Sequence, residues 1–257
     1  MRILAVGDVC GEPGLKYLEQ NLKSVRRYHG LDFVVVNGEN SNVVGMQPRH
    51  GDRLFHAGAD VITLGNHTWA YRDIYGYLDE NPRVIRPANF APRCPGIGYA
   101  VVSTAWGRIC VINLLGRYGL DGNTEHPFTC IDRVLGELEG QAEVFLVDFH
   151  AEATSEKRAL GFYLDGRVSA VWGTHTHVQT SDWQVLPGGT GYITDLGMTG
   201  AVNSVLGIEI EQSIGKFSGD PPSRYRSGSG PASLEGCIFD IDETIGACRS
   251  AEGVRLQ

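Results

Sequence analysis

Short apolar runs alternate with amphipathic segments through the first quarter of the chain. The runs at residues 2–6, 33–36 and 61–64 predict strands that are apolar on both faces. Between them, apolar side chains recur at helical spacing over residues 15–28, and residues 48–57 also predict a helix. Buried strands that alternate with helices indicate β-α-β units and a sheet covered on both sides.

The middle of the chain predicts a hairpin. Two strand-like runs, residues 98–103 and 108–114, are separated only by a short turn, so part of the sheet should be antiparallel. The remaining predicted elements are a helix over residues 129–139 and strands over residues 144–147, 168–172, 183–186, 191–194, 234–241 and 244–248.

Composition narrows the class of protein. The chain has 257 residues, of which 42% are hydrophobic and 20% are charged, which excludes disordered and fibrous proteins. Its apolar runs fall short of the roughly 18 residues that a membrane helix needs. With a net charge of −8, the chain lacks the excess of positive charge that proteins use to bind duplex nucleic acid. We therefore expect a globular protein that binds neither a membrane nor duplex nucleic acid.

Cysteine usage and the first residues predict the compartment. The six cysteines form no Cys-x-x-Cys pair, and a chain of this size does not need disulfides to fold. The opening residues, MRILAVGDVCG, predict a buried first strand rather than a signal peptide. We expect reduced thiols and a cytoplasmic protein.

One segment is rich in glycine, proline and serine. Residues 218–233, SGDPPSRYRSGSGPAS, predict a flexible loop rather than a linker between domains, because the roughly 25 residues after it are too few to fold alone. We therefore expect a single domain over residues 1–257.

Side chains able to bind metal follow five of the predicted strands. In α/β sheets, ligands bind beyond the carboxyl ends of the strands, so residues far apart in sequence should meet at one edge. The candidate metal ligands at these strand ends are Asp8, Glu39, Asn40, Asn66, His150, His175 and His177.

Each candidate also has an ordinary structural interpretation. Asp8 could cap a helix, Glu39 could lie in a surface turn, and His150 could be a hydrogen-bonded core histidine. The pair His175-x-His177 is the strongest signal, because residues i and i+2 of an extended segment point to the same side.

The residue types indicate the metal. Imidazoles, carboxylates and amide oxygens without a thiolate suit iron, manganese or zinc. Their number exceeds the needs of one tetrahedral ion and suits two ions roughly 3.5–4 Å apart. Such a pair activates water and binds the oxygens of a phosphate group.

Several longer motifs resemble those of the calcineurin-like metallophosphoesterases, and most closely the bacterial YmdB-type branch. The motifs are GDVCGEPG at 7–14, NGEN at 37–40, GNHTW at 65–69, RPANF at 86–90, INLLGR at 112–117, DFHAEATSEK at 148–157, GTHTHVQT at 173–180 and GYITDLGMTG at 191–200. The wider superfamily usually opens with Asp-x-His and has GDxxD in its second motif, whereas this chain has Asp8-Val9-Cys10 and Gly38-Glu39-Asn40. That difference agrees with the branch.

The resemblance covers about residues 1–217 and implies a fold and an activity. The fold would be an α/β, four-layer α-β-β-α sandwich with two mixed sheets. Members of the branch are binuclear phosphodiesterases that act on 2′,3′-cyclic nucleotides. The implied cofactors are two ions, with iron or manganese favoured over zinc.

The resemblance also implies a role for each motif residue. Asp8, Glu39, Asn40 and His177 would hold one ion. Glu39 would bridge to the other ion, which Asn66, His150 and His175 would also hold. His67 would be the general acid that protonates the departing ribose oxygen, and a metal-bridging hydroxide would be the nucleophile.

The sequence identifies the surroundings of the site less sharply. Residues 41–47, SNVVGMQ, differ from the Ala/His/Gly-rich stretch of the branch, so the substrate-binding residues stay unknown. Trp69 and Tyr71 could stack on a base, although packing is favoured. The candidates for orienting the ligands are Asp148, Glu152, Thr174, Thr176 and Asp195.

Other functions remain open at this stage. The alternatives are a metal-dependent phosphomonoesterase, an RNA nuclease, a regulatory nucleotide-binding protein with incidental turnover and, more weakly, a metal-dependent amidohydrolase. The expected partner is a small phosphodiester such as a 2′,3′-cyclic nucleotide. A homo-oligomer is possible, because the exposed edge of the predicted hairpin could pair subunits.

Overall fold

The computed structural model describes residues 1–120 and 122–257. In chain order, the strands are β1 (Arg2–Val6), β2 (Asp8–Val9), β3 (Phe33–Asn37), β4 (Val61–Thr63), β5 (Val84–Ile85), β6 (Tyr99–Thr104), β7 (Gly107–Leu115), β8 (Val144–His150), β9 (Ala170–Thr174), β10 (Gln184–Val185), β11 (Gly191–Ile193), β12 (Met198–Ala201), β13 (Ala232–Ile241) and β14 (Cys248–Leu256). The helices are α1 (Gly11–His29), α2 (Pro48–Ala57), α3 (Ile74–Glu80), α4 (Pro127–Glu137), α5 (Thr154–Tyr163) and α6 (Ile210–Ser218).

The strands form two mixed sheets. The first has eight strands in the order β2-β12-β13-β1-β3-β4-β5, with β14 paired to β13. The second has six strands in the order β10-β11-β9-β8-β7-β6. Strands β1, β3, β4 and β5 are parallel, and so are β7, β8 and β9. The predicted hairpin is confirmed by the antiparallel pairing of β6 with β7.

Alternating side chains place one core between the sheets and one on each outer face. Within β1, Leu4 joins Leu18 of α1 in one apolar cluster. Its neighbour Ile3 points the other way and joins Trp172 of the second sheet and Phe239 of the first. The rings of Trp172 and Phe239 stack with their centroids 5.8 Å apart. A third cluster lies under α4 and α5. These layers confirm the α-β-β-α sandwich.

One expectation about local structure needs correction, and three helices, α3, α5 and α6, have no counterpart in the prediction. A strand at residues 244–248 is wrong, because the Asp242 side chain accepts hydrogen bonds from the backbone N and hydroxyl of Thr244 and forms a turn. The strand β14 begins only at Cys248. Helix α5 was not predicted, because Glu156 and Lys157 lie on its buried face instead of apolar side chains.

The Gly/Pro/Ser-rich segment joins α6 to β13. Helix α6 includes Ser218, and β13 begins at Ala232. Between them, Ser227 forms an isolated bridge with Ile208. Within the part of the chain that the structure describes, none of the helices combines the length and the apolarity needed to span a bilayer.

The start of α2 predicts a pH dependence of stability. The backbone N of Gln47 donates to Nδ1 of His50 in a capping box. Burial, followed by the charges of Arg49 and Arg53, lowers the pKa of His50 to about 4. Because the unfolded chain binds this proton near pH 6.5, stability is lost as the pH falls below that value.

We expect the free energy of unfolding to fall more between pH 7 and pH 5.5 in the wild type than in His50→Gln, by about 1 kcal/mol. Glutamine at this position keeps the capping box. Urea titrations of both proteins at the same metal concentration measure the difference. Equal losses would show that His50 is not responsible.

Candidate metal centre

The carboxyl ends of strands from both sheets meet at one place. Strands β1, β3 and β4 of the first sheet and β8 and β9 of the second lead into the candidate ligands. Contacts shorter than 4 Å link all the candidates into one cluster, which consists of Asp8, Glu39, Asn40, Asn66, His150, His175 and His177. Residues 167 positions apart in sequence, such as Asp8 and His175, are thereby in direct contact.

His150 lies at the centre of one half of the cluster. Its Nε2 is 3.1 Å from Glu39 Oε1, 3.0 Å from Asn66 Oδ1 and 3.1 Å from His175 Nδ1. The ligand atoms of Glu39, His150 and His175 all lie within 4.8 Å of one another. This half offers nitrogen and oxygen donors to one small volume.

His177 organises the other half. Its Nε2 lies 3.6 Å from Asp8 Oδ1 and 3.1 Å from Asn40 Nδ2. The same Asp8 oxygen is 3.9 Å from His150 Nδ1. Asp8, which is fully buried, therefore connects the two halves.

A hydrogen-bond relay fixes the tautomer of His150. Thr174 Oγ1 donates to Asp148 Oδ1 at 2.7 Å, so this hydroxyl must accept from His150 Nδ1, 2.9 Å away. We assign the proton to Nδ1 on this basis. Nε2 then faces Glu39 and the rest of the cluster. The expected orienting roles of Asp148 and Thr174 agree with this geometry.

In the other two imidazoles, His175 and His177, the nitrogen that faces away from the cluster also lies beside an acceptor oxygen. His175 Nε2 lies 3.0 Å from Glu152 Oε2, and His177 Nδ1 lies 3.0 Å from the carbonyl oxygen of Leu206. Both outer nitrogens therefore donate, and the inner nitrogens face the cluster. Metal-binding histidines in proteins are oriented in this way.

Two carboxylate oxygens in the cluster complete a donor set that fits cations. Among the described residues, Asp8 Oδ1 and Glu39 Oε1 are buried and have no hydrogen-bond partner. Buried polar atoms left without partners are costly. Three imidazoles and two carboxylates converge here, and positive charge at the centre would satisfy both of these carboxylate oxygens. The residues present therefore fit metal ions.

The electrostatics of the cluster agree with this fit. Burial raises the pKa of Asp8, but the imidazoles of His177 and His150 outweigh it and hold the pKa well below the usual value. Burial, aided by the charge of His150, lowers the pKa of His175 to about 4. Burial lowers the pKa of His150 and of His177, but Glu39 outweighs it at His150, and Cys10 and Asp8 outweigh it at His177, so both pKa values are raised. Without metal, Asp8 is therefore ionised and His175 neutral, while His150 and His177 hold protons that bound ions would replace.

The backbone at the His175-x-His177 motif is not extended, which corrects the geometric premise of the prediction. His175 has φ of 99° and His177 has φ of 61°. Their rings accordingly serve different halves of the cluster instead of facing one side together. Residues other than glycine rarely adopt this conformation, and such strain concentrates at functional sites.

His67 contacts the cluster through its backbone N and, at 3.5 Å, through Nε2 beside the side-chain nitrogen of Asn66. Its backbone N donates to Glu39 Oε2 at 3.1 Å, whereas its half-buried imidazole lines a cavity of about 370 Å³ that also borders His175 and His177. Trp69 packs against Tyr75 and Phe90, with ring centroids 5.5 and 5.4 Å away, which accounts for it as a packing residue.

The sequence profile of the YmdB-like protein family matches residues 4–254. The chain belongs to this family. The resemblance identified from the motifs is therefore confirmed, and with it the class of enzyme, a metallophosphoesterase.

Three relatives of this YmdB-like chain have informative matches. A protein of Bacillus subtilis (strain 168), named 2′,3′-cyclic-nucleotide 2′-phosphodiesterase, is 43% identical over 244 residues, which cover 95% of this chain and 92% of the relative. A crystal structure of a hypothetical protein from Thermus thermophilus has a TM-score of 0.91 at 38% identity and covers all of both chains. A crystal structure of a novel phosphatase from Mycoplasma pneumoniae has a TM-score of 0.92 at 33% identity, covering 100% of this chain and 93% of that one.

The YmdB-like chain also contains a buried ion pair that sequence analysis did not find. Lys157 Nζ lies 2.6 Å from Asp195 Oδ2, and both side chains are 1% exposed. The same carboxylate oxygen accepts from the backbone N and hydroxyl of Thr176. Because Thr176 lies between His175 and His177, this pair fixes the strained segment that carries both imidazoles.

Gly65 allows the cluster to close, which leads to a prediction. A Cβ at Gly65 would lie 2.2 Å from Glu39 Oε2 and 2.4 Å from His150 Nε2. We expect Gly65→Ala to weaken metal binding by about 10- to 100-fold, as displaced supporting groups do. Metal titration followed by calorimetry measures the change. Gly136→Ala in α4 is the control, since its Cβ meets nothing within 4 Å; equal affinity in both variants would contradict the prediction.

Proposed function

We propose that this chain is a two-metal phosphodiesterase that hydrolyses 2′,3′-cyclic nucleotides or similar small phosphodiesters. The observation that supports it most directly is the convergence of three imidazoles and two buried, unpartnered carboxylate oxygens beside a cavity. The name of the Bacillus subtilis relative gives the substrate class and the 2′ bond as the one cleaved. The expected product is a nucleoside 3′-monophosphate.

The proposed ligand sets follow the two halves of the cluster. One ion would be held by Asp8, Glu39, Asn40 and His177, and the other by Glu39, Asn66, His150 and His175. The shared role of Glu39 is the one that the motif resemblance implies, and its Oε1 lies 3.1 Å from His150 Nε2. Iron or manganese suits these nitrogen and oxygen donors, and zinc is the third choice. When bound, the ions would activate water and neutralise the charge of the phosphate.

We assign the proton transfer to His67. Its imidazole lines the cavity, and the departing ribose oxygen needs a proton as the bond to phosphorus breaks. An imidazole can supply that proton near neutral pH. Glu152 and the carbonyl of Leu206 hold the outer protons of His175 and His177, so these rings keep their tautomers throughout.

The cysteines support a cytoplasmic location. All six are free, and five of them are buried. Free thiols persist in reducing compartments. We propose that the reaction takes place there.

A substrate panel tests the proposed function. Protein loaded with manganese or iron is assayed with 2′,3′-cyclic nucleotides, nucleoside monophosphates and short RNA. We expect metal-dependent turnover of the cyclic nucleotides above the other two, with a 3′-monophosphate as product and loss of activity on chelation. Preference for monophosphates or RNA would replace the proposal with a phosphomonoesterase or a nuclease. Nucleotide binding without turnover of any substrate would favour a regulatory binding protein.

A further inference from the structure

Strained backbone collects around the cavity beside the metal centre. Among the described residues, four that are not glycine have positive φ. All four line this one cavity, and they are Val43, His175, His177 and Leu206. The two histidines are explained as candidate ligands. Val43 and Leu206 have φ of 69° and 53° but offer no metal ligand, so their strain calls for another role.

Both apolar residues are tied to candidate ligands through the backbone. The backbone N of Val43 donates to the carbonyl oxygen of Asn40 at 2.8 Å. The carbonyl oxygen of Leu206 accepts from His177 Nδ1 at 3.0 Å. The backbone that orients the polar cluster therefore also fixes where these two apolar side chains lie. A β-branched residue such as valine adopts positive φ only rarely.

The cavity has two chemically different parts. The part next to the cluster is lined by Asn40, His67, Glu152, His175, Thr176 and His177, and the Glu152 carboxylate there is paired with His175 Nε2. The rest is lined mainly by apolar side chains, which are Val43, Val44, Val205, Leu206, Ile208 and Phe217. The volume of about 370 Å³ lies in the range of sites for small molecules.

The apolar side chains that line the cavity form a wall, and this wall is more exposed than the packing of the fold explains. Leu206 is 47% exposed and Phe217 is 83% exposed. Lys216 lies beside them, with its Nζ in contact with Tyr225 Oη and 4.9 Å from the centre of that ring. It is the one lysine or arginine among the described residues that line the cavity. An apolar surface next to a single cation suits an anion that carries a flat apolar group.

We propose that the wall formed by Val43 and Leu206 is a subsite for the nucleobase of the substrate. The inference rests on the proposed function, since a 2′,3′-cyclic nucleotide joins a base to a phosphate through one ribose. With the phosphate at the metal centre, the base lies against this wall. The strained turns hold the wall in place before the substrate binds, which lowers the entropy cost of binding.

The test compares a substrate that has a base with one that lacks it. Manganese-loaded wild type, Val43→Ala and Leu206→Ala are assayed with adenosine 2′,3′-cyclic phosphate and with methyl riboside 2′,3′-cyclic phosphate. Alanine keeps the backbone groups that bond to Asn40 and His177. We expect the ratio of the two kcat/KM values to fall about 10-fold or more in each variant, mainly through a higher KM for the nucleotide. Metal content should match the wild type.

The control is Ile245→Ala, since Ile245 is also apolar and 75% exposed but is not among the residues lining the cavity. Its ratio should stay that of the wild type. An unchanged ratio in Val43→Ala and Leu206→Ala, or an equal loss on both substrates, would overturn the subsite.

A binding measurement separates this inference from the proposed function. Calorimetry compares the affinity of the metal-loaded protein for adenosine 3′-monophosphate and for inorganic phosphate. We expect the nucleotide to bind more tightly than phosphate. In Leu206→Ala, the ratio of the two affinities should be about 10-fold smaller than in the wild type. If neither cyclic substrate is turned over, the proposed function is wrong. The difference in affinity between adenosine 3′-monophosphate and phosphate still tests whether the subsite binds a base. Equal affinities for nucleotide and phosphate in the wild type would refute it.

Discussion

Replacing His67 by alanine is expected to lower kcat on 2′,3′-cyclic nucleotides by about 10²- to 10⁴-fold while both metal ions stay bound. The link from His67 to Glu39 runs through its backbone N, which alanine retains. Only the imidazole at the edge of the cavity is removed. Steady-state kinetics and elemental analysis of the same preparation measure the two effects.

Two further histidine variants make the His67 result decisive. His56→Ala removes an exposed imidazole on α2 and should change neither activity nor metal content. His175→Ala removes a candidate ligand and should lose metal. If His67→Ala loses metal as badly as His175→Ala, the imidazole of His67 is a ligand and its assignment as the general acid is wrong.

Replacing Lys157 by methionine is expected to lower the free energy of unfolding by about 3–5 kcal/mol. Methionine has a similar length but leaves the carboxylate of Asp195 buried without a cation, since both side chains are 1% exposed. The loss should also loosen the segment around Thr176, which bonds to the same carboxylate. Denaturant unfolding at neutral pH gives the change.

Arg167→Met is a matched control for the buried pair. Arg167 also lies 2.6 Å from a carboxylate, that of Asp132, but the two side chains are 39% and 45% exposed. Exposed pairs contribute between 0 and about 1 kcal/mol, so this variant should stay close to the wild type. Equal destabilisation in Lys157→Met and Arg167→Met would mean that burial of the Lys157 pair has no effect.

Much of the fold follows from apolar patterning. Residues 3–6 of β1 and 33–36 of β3 are all apolar, because one face of each strand packs on helices and the other on the second sheet. Their sequences therefore indicate both the strand and its burial. Where burial is achieved by ion pairs and hydrogen bonds, as on the inner face of α5, the pattern disappears and the helix is not found.

The candidate ligands were predictable because they follow recognisable strands. The rule that ligands gather beyond the carboxyl ends of strands was sufficient to collect Asp8, Glu39 and His150, which the structure places in one cluster. The rule could not predict the backbone conformation of His175. Its positive φ depends on the hydrogen bonds that the backbone N of His175 donates to Asp8 and the backbone N of Thr176 donates to Asp195.

Asp195 and Thr176 were among the expected orienting residues, but the partners Lys157 and Leu206 were harder to find because their contacts are distant in sequence. Lys157 and Asp195 are 38 positions apart, and Leu206 reaches His177 across 29 positions. Each of these residues has an ordinary local context, such as a helix or a turn. Only the folded chain shows that their bonds converge on the ligands.

The central claim is that this one cluster binds two metal ions, and metal content tests it most directly. Protein purified with manganese or iron should contain about two ions per chain, and His150→Ala and His177→Ala, which lie in different halves of the cluster, should each lose metal. Anomalous scattering from crystals of the same preparation should place both ions among the seven candidate ligands. A single ion in the wild type, or ions bound elsewhere while this cluster holds none, would contradict the account.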